Sequence, residues 1–383
     1  MMPDFKGADA LLLIGASEHN ADLQYATGFL APDPFAYIQM PERTALIISE
    51  LEIDRARSQA RVNEVLSIVP LRKRVDKIVP NVTAFNTYYA AVALALNDFD
   101  ISKILVPADF PIGAGDYLRS NGFDLLVATP PLFPERAVKN STELDSIRDS
   151  LLAAQAGMEV AITALQSSTI GADDFLQLEN EVLTSEKVRY MIHKRLLEFG
   201  CTAKHTIVSC GTHTCDPHES GHGPIRAHQP IVLDIFPQSS ETRYFGDITR
   251  TVVKGRANEN LQFMYDIVLR GQEQALAEIC DGADSMAIHN SIHEMFTKAG
   301  YVTGEKGGRM QGFFHGTGHG LGLEIHEAPS ISAREGQLTA GQVVTVEPGL
   351  YYYDIGGVRI EDVVCVTADG CTMLTDFPKF LEL

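Results

Sequence analysis

Three histidines lie within twelve residues in the stretch His315-Gly-Thr-Gly-His319-Gly-Leu-Gly-Leu-Glu-Ile-His326-Glu327, separated by four and then seven positions. Glycines at 316, 318, 320 and 322 leave little side-chain bulk between them. Backbone can therefore approach closely, and the imidazoles can converge on one small volume. Histidine is the commonest metal ligand and the side chain whose charge changes nearest neutral pH. Metal binding and proton transfer are the two chemistries this stretch suggests.

Four carboxylates in the same half of the chain extend the set. Asp234 ends the apolar run Ile231-Val232-Leu233, and Asp247 opens Asp-Ile-Thr-Arg-Thr-Val-Val. Glu347 follows Val343-Val344-Thr345-Val346 and precedes Pro348-Gly349, while Glu361 sits in Val358-Arg359-Ile360-Glu361-Asp362. Acidic side chains are rarely buried unless paired or bound to a cation, yet each of these is embedded in the β-branched sequence of a buried strand. Taken singly, each reads equally as a strand-end carboxylate facing water. Together with His319 they make a five-ligand set suited to two divalent cations, with hard oxygen donors favouring Mn²⁺ over Co²⁺ or Zn²⁺.

The order Asp234, Asp247-Ile-Thr-Arg-Thr, Gly-His319-Gly-Leu-Gly-Leu-x-x-His326-Glu, Glu347-Pro-Gly and Glu361 resembles the two-metal "pita-bread" peptidases. That family includes aminopeptidase P, prolidase, methionine aminopeptidase and the metal-free creatinase. The resemblance implies that Asp247 and Glu361 bridge two metals, that Asp234 completes one ion, and that His319 with Glu347 completes the other. It implies a shared water made nucleophilic near neutral pH, with Glu347 as general base and then general acid. His315 and His326 would hydrogen-bond the substrate carbonyl and its oxyanion, and Arg359, Thr249 and Tyr351 would support ligands or substrate. Arg359 stands two residues before Glu361 and is expected on the same strand face. Tyr351 matches an active-site tyrosine of aminopeptidase P, although the run 351–353 reads equally as packing. A third substrate-side histidine is expected upstream of Asp234. His218, in Asp-Pro-His, fits better than His213 or His222. Asp234 and Asp247 are two positions further apart than in the family, so the turn at 237–244 is expected to be long.

The elements that must hold these groups divide in two. Residues 1–135 alternate apolar strands (10–14, 36–39, 45–49, 65–69, 104–107 and 125–128) with helices at 51–61 and 84–96, an α/β pattern. This half carries no phosphate loop and no catalytic constellation, and it resembles the N-terminal domain of creatinase, aminopeptidase P and prolidase. Thr129-Pro-Pro-Leu-Phe-Pro134 reads as a linker. Residues 136–383 read as an α+β pita-bread domain. Helices are expected near 142–167 (capped at Asn140-Ser-Thr-Glu), 172–199, 257–280 and 284–298, with ligand-bearing strands at 206–209, 231–236, 248–254, 343–347 and 358–366.

Composition excludes other classes. A net charge of −19 argues against nucleic acid, whose binding needs a basic face. Six cysteines without a CxxC pair fit a reducing cytoplasm. The apolar run at 11–14 is too short for a signal peptide or a membrane span, so no membrane partner is expected. There is no Gly-x-Ser-x-Gly elbow, and no His-Glu-x-x-His helix is completed. The two-domain layout favours a metal-dependent exopeptidase of the aminopeptidase P and prolidase branch, acting on the Xaa-Pro bond of a proline-containing peptide, with a homodimer implied. Prolidase action restricted to dipeptides is an alternative. In some members of that branch an Arg stands four residues after the His326 position, where this chain has Ser330; Arg334 is the nearest cation. A creatinase-like metal-independent hydrolase and a non-enzymatic binding module are further alternatives, disfavoured by the complete ligand set.

Overall fold

The strand β1 (Ala10–Gly15) reads Ala-Leu-Leu-Leu-Ile-Gly and is buried along almost its whole length, as a strand covered on both faces must be. It lies inside a six-stranded sheet with β2 (Phe35–Gln39), β3 (Thr44–Ile48), β4 (Glu64–Ser67), β5 (Lys103–Val106) and β6 (Asp124–Val127), in the order β4-β3-β2-β1-β5-β6. The first three strands pair antiparallel as a meander, and the outer pairings are parallel. Two-residue alternation sorts the side chains into two layers. Leu12, Ile14, Ile38 and Ile47 pack with α3 (Ile68–Ile78), α4 (Ala84–Asp98) and α5 (Ile112–Ser120). On the other face Leu11, Leu13, Leu46 and Ile48 pack with α1 (Ala21–Thr27) and α2 (Ile53–Gln59). The computed structural model describes residues 5–78 and 84–383. It divides into two units, Met1–Glu135 and Arg136–Leu383.

Three helices of the first unit, α1, α3 and α5, are absent from the sequence expectations. The α3 sequence begins Ile-Val-Pro-Leu, an apolar run that reads as the end of a strand, but a helix accepts proline in its first turn, where the missing N–H bonds nothing. The expected linker is also different. Leu132 and Phe133 are buried with Leu11 and Phe29, so this Pro-rich stretch seals one layer of the unit.

The second unit begins with α6 (Ser141–Ser167), whose Asn140 and Glu143 form a reciprocal capping box. The helix expected over 172–199 is instead a small meander, β7 (Thr169–Ile170), β8 (Leu176–Leu178) and β9 (Glu181–Val182), followed by a shorter α7 (Ser185–Glu198). Glu179 and Asn180 both have positive φ, 54° and 66°. That is the backbone of a two-residue hairpin, which no helix accommodates. Helices α6 and α7 cover the sheet of β11 (Ile207–Cys210), β12 (Ile231–Ile235) and β14 (Ile248–Val252). The long turn at 237–244 contains β13 (Gln238–Ser239), paired with β10 (Cys201–Thr202). Thus the extra residues build a ribbon.

Helices α8 (Glu259–Glu278) and α9 (Ser285–Lys298) cover the other half. After the hairpin of β15 (Gly304–Lys306) and β16 (Arg309–Gln311), that half contains a five-stranded sheet of β17 (Gly318–Gly320), β18 (Glu327–Ile331), β19 (Val343–Val346), β22 (Asp362–Thr367) and β23 (Gly370–Met373). It also contains the β20 (Gly349–Tyr352) and β21 (Gly356–Arg359) hairpin. The single strand expected over 358–366 is therefore two, interrupted at Ile360-Glu361. Glu361 N–H donates to Thr249 O at 3.0 Å, which draws residue 361 out of line towards β14.

Candidate metal centre

The strand framework brings the five expected ligands to one place. Asp234 lies in β12, with Ile207 and Thr249 opposite it on the flanking strands. Asp247 immediately precedes β14, Glu347 immediately follows β19, Glu361 occupies the break between β21 and β22, and His319 is the middle residue of β17. Strand ends can carry carboxylates inward without spoiling a ladder, which explains this placement. One donor atom each from Asp247, His319 and Glu361 lie within 4.8 Å of one another. His319 Nε2 is 3.4 Å from Glu347 Oε1 and 3.8 Å from Asp247 Oδ2.

The protonation pattern of this cluster fits a cation. His319 Nδ1 lies 3.1 Å from the carbonyl of Gly320; a carbonyl only accepts, so Nδ1 carries the hydrogen and Nε2 turns its lone pair on the carboxylates. Burial holds His319 below its ordinary pKa. Asp247 and Glu361 are almost wholly buried, at 4% and 2% exposure. Their carboxyls are pushed well above the usual range, first by burial and then by the neighbouring carboxylates. Asp234 Oδ1 and Asp247 Oδ1 are buried with no hydrogen-bond partner. Buried acceptors facing one another cost free energy unless a positive centre lies among them. The donor set, four carboxylates and one imidazole, is that of a hard-to-borderline divalent ion.

Around the carboxylates runs a chain of donors. Arg359 Nη2 donates to Asp234 Oδ2 at 2.7 Å, and Nη1 donates to Tyr351 Oη at 3.0 Å. Tyr351 Oη is in turn 2.8 Å from His315 Nε2. His315 Nδ1 lies 2.8 Å from the carbonyl of Gly316 and must be the donor there. Tyr351 therefore donates to Nε2, and both nitrogens of His315 are engaged. Burial and the nearby Arg359 charge lower the His315 pKa to about 3, so the ring stays neutral. This differs from the expected substrate-bonding role of His315. It borders the cavity, but its polar atoms hold Tyr351. Tyr351 itself is fully buried beneath the site and does not line it.

Arg359 reaches the site although β21 ends with it and Glu361 lies beyond the strand. The two residues do not share a strand face; their side chains meet through Thr249, whose hydroxyl donates to Glu361 Oε2 at 2.7 Å and accepts from Arg359 Nε at 3.4 Å. Of the three candidates His213, His218 and His222, only His218 borders the cavity, which His205 also lines. The rings of His213 and His222 contact each other instead, tilted by 41° with centroids 4.2 Å apart. The His326 ring stands nearly perpendicular to that of His319, at 4.3 Å between centroids.

The cavity in front of these groups has a volume of about 920 Å³, towards the upper end of the ~300–1,000 Å³ usual for ligand pockets. Ile207, Pro217, Phe236, Phe314 and Ile325 supply apolar wall, and Arg334 an exposed cation. Sequence reasoning overlooked the supports behind the carboxylates. Arg250, the Arg of Asp-Ile-Thr-Arg-Thr, is buried; it donates to the carbonyl oxygens of Thr249 and Glu361 and pairs with Asp362 Oδ1 at 2.8 Å. Its signal was a guanidinium inside an otherwise buried strand. Thr345 Oγ1 accepts from His319 N–H at 3.0 Å.

Among solved structures, the chain is similar to a Xaa-Pro dipeptidase from Bacillus anthracis (24% identity, TM-score 0.81, 98% of this chain and 96% of that one). It is also similar to an X-Pro aminopeptidase from Thermotoga maritima (22%, TM-score 0.79, 98% of each). These likenesses fix the fold, a pita-bread domain preceded by an α/β domain. A Xaa-Pro dipeptidase from Pyrococcus horikoshii is 28% identical over 97% of this chain and 94% of its own length. The first curated relatives, 30–31% identical, are matched over 64% of their length. The family model for metallopeptidase family M24 matches residues 145–368, more than half of the sequence, and the chain belongs to that family.

Proposed function

We propose that this chain is a metal-dependent exopeptidase that hydrolyses the bond between an N-terminal residue and a following proline. The observation that carries the reading is the meeting of Asp234, Asp247, His319, Glu347 and Glu361 at the floor of one cavity with an apolar wall. We assign two divalent cations to these five side chains, with Mn²⁺ favoured and Co²⁺ or Zn²⁺ as alternatives. When bound, such ions lower the pKa of water and polarise a carbonyl.

The remaining steps belong to the side chains. Glu347, whose carboxyl burial raises to about 7 against the opposing charge of Arg359, accepts the proton of the attacking water and returns it to the leaving prolyl nitrogen. His326, with its ring exposed to the cavity, donates to the carbonyl oxygen as negative charge develops there. His218 faces the same space and orients the substrate. Arg359 neutralises Asp234 and, through Tyr351 and His315, stiffens the wall. Phe236, Phe314 and Ile325 receive the prolyl ring.

The cavity volume favours peptides longer than two residues. The dipeptidase reading draws on Arg334 in the cavity lining, suited to a free carboxylate, and on the name of the Pyrococcus horikoshii relative. Comparing hydrolysis of a Xaa-Pro dipeptide with that of a Xaa-Pro tripeptide separates the two, and cleavage of the dipeptide alone would overturn the aminopeptidase reading. Chelation tests the cations, since full activity of metal-stripped protein would return the creatinase-like alternative. We further assign the protein to the cytoplasm, where its six free thiols persist, and to a homodimer, which sedimentation checks.

A further inference from the structure

Adjacent residues of extended chain point to opposite sides, and His326, just ahead of β18, and Glu327, which opens it, use this. His326 faces the cavity, and Glu327 points the other way. Glu327 is nearly buried and is held by two cations from the segment before α6: Lys139 Nζ at 2.7 Å from Oε1 and Arg136 Nη2 at 2.8 Å from Oε2. Arg136 also reaches Glu324 Oε2 at 2.9 Å. Lys139 is itself buried, so neither member of its pair is a surface charge. The segment is fixed as well: Lys139 N–H donates to Gly341 O at 2.8 Å, and Val138 bridges Gln342, directly ahead of the strand that leads to Glu347. Gly322 completes the arrangement, because a Cβ there would fall 2.4 Å from Glu327 Oε1. Any larger residue there would have to push the carboxylate out of its clamp.

We propose that Glu327, gripped by Lys139 and Arg136, is a positioning residue that sets the place of the His326 ring beside His319. Glu327 pairs with Gly320 on β17, next to His319, whose ring meets that of His326 at 4.3 Å between centroids. The clamp removes the remaining freedom of the chain at 322–327. A ring that bonds the oxyanion only as it forms must already be in place, because a small misplacement is felt in the transition state more than in substrate binding. The inference rests on the peptidase reading for its kinetic consequence.

The test uses Glu327→Gln, Lys139→Met and their combination in the full-length, Mn²⁺-loaded protein, with a Xaa-Pro tripeptide as substrate. Each single variant is expected to lose about ten- to hundredfold in kcat, with KM within about twofold and metal content unchanged. Glu327→Gln leaves the buried Lys139 charge unpaired, Lys139→Met leaves the nearly buried Glu327 to Arg136 alone, and both lower Tm. The double variant removes both charges and is expected to recover Tm without recovering kcat. Recovery of kcat together with Tm would make the clamp merely structural and overturn the proposal, as would single variants with unaltered kcat. Arg136→Gln, at the more open end, is expected to lower kcat severalfold and keeps the test available if the buried variants do not fold; unaltered kcat there would count equally against it. Wild-type protein that cleaves no Xaa-Pro substrate would sink the functional reading instead, a result distinguishable from all of these.

Discussion

The two units of this chain handle charge in opposite ways. Among the described residues, the buried core of Met1–Glu135 contains no ionised side chain, and its ion pairs, such as Arg74 with Asp98, lie at the surface. The core of Arg136–Leu383 buries Asp234, Asp247, Glu361, Asp362, Arg250, Arg359 and Lys139. Burying charge opposes folding unless the charge is paired, so the second unit has spent stability on something other than its fold. Two of these carboxylates, Asp234 and Asp362, meet guanidinium or ammonium groups; Asp247 and Glu361 meet mainly other acceptors. The difference teaches where to look for chemistry: in the unit whose burial pattern makes no sense as packing.

The comparison breaks most visibly at the ligands. Asp247→Asn is expected to lower kcat about a thousandfold, as several kcal/mol of transition-state stabilisation are lost. The same change should lower bound metal while leaving the metal-free Tm unchanged or raised, because one of the mutually repelling carboxylates is gone. Retention of both metal and activity, by elemental analysis and kinetics, would refute the contrast. The opposite signature is expected in the first unit. There Leu12→Ala opens a void in a fully buried apolar layer and should cost about 2–5 kcal/mol of stability, read by denaturant titration, with kcat of the folded fraction preserved.

A pH titration sharpens the contrast further. The folded Glu347 carboxyl is raised from 4.5 to about 7, so the folded metal-free protein binds more protons than the unfolded chain between those values. Its contribution to stability is present below pH 4.5 and lost as pH rises through 7. The Tm difference between metal-free wild type and Glu347→Gln should therefore fall across that window. Mn²⁺ must displace those protons, so its apparent affinity should drop as pH falls below 7; a pH-independent affinity would contradict the assignment. The smallest effect belongs to Tyr351→Phe. Removing the hydroxyl between Arg359 and His315 should cost about tenfold in kcat and on the order of 1 kcal/mol in stability, with KM nearly unchanged.

Much of the fold was legible because local pattern reports local structure. The six strands of the first unit and the helices α6, α8 and α9 follow from apolar periodicity and, for α6, from the cap at Asn140; the structure adds caps at Asn258 and Asp284. The meander at 169–182 was missed because its turn depends on two non-glycine residues, Glu179 and Asn180, adopting positive φ. The break at Glu361 was missed because β-branched sequence continues across it. What interrupts the strand is the bonding of Glu361 backbone to Thr249 and Arg250, more than a hundred positions away.

By itself the sequence determined which residue types stood near one another along the chain: three histidines among glycines, and carboxylates at the ends of apolar runs. It favoured His218 over His213 and His222 on local context alone, which could not settle the choice. Only the fold brought the other two into contact with each other and turned His218 to the cavity. Nor could it place Tyr351 beneath the site, engage both nitrogens of His315, or set Glu327 between Lys139 and Arg136. Those contacts join residues separated by up to about two hundred positions. Strand register and helix packing decide them, and no short-range pattern encodes a partner so far away.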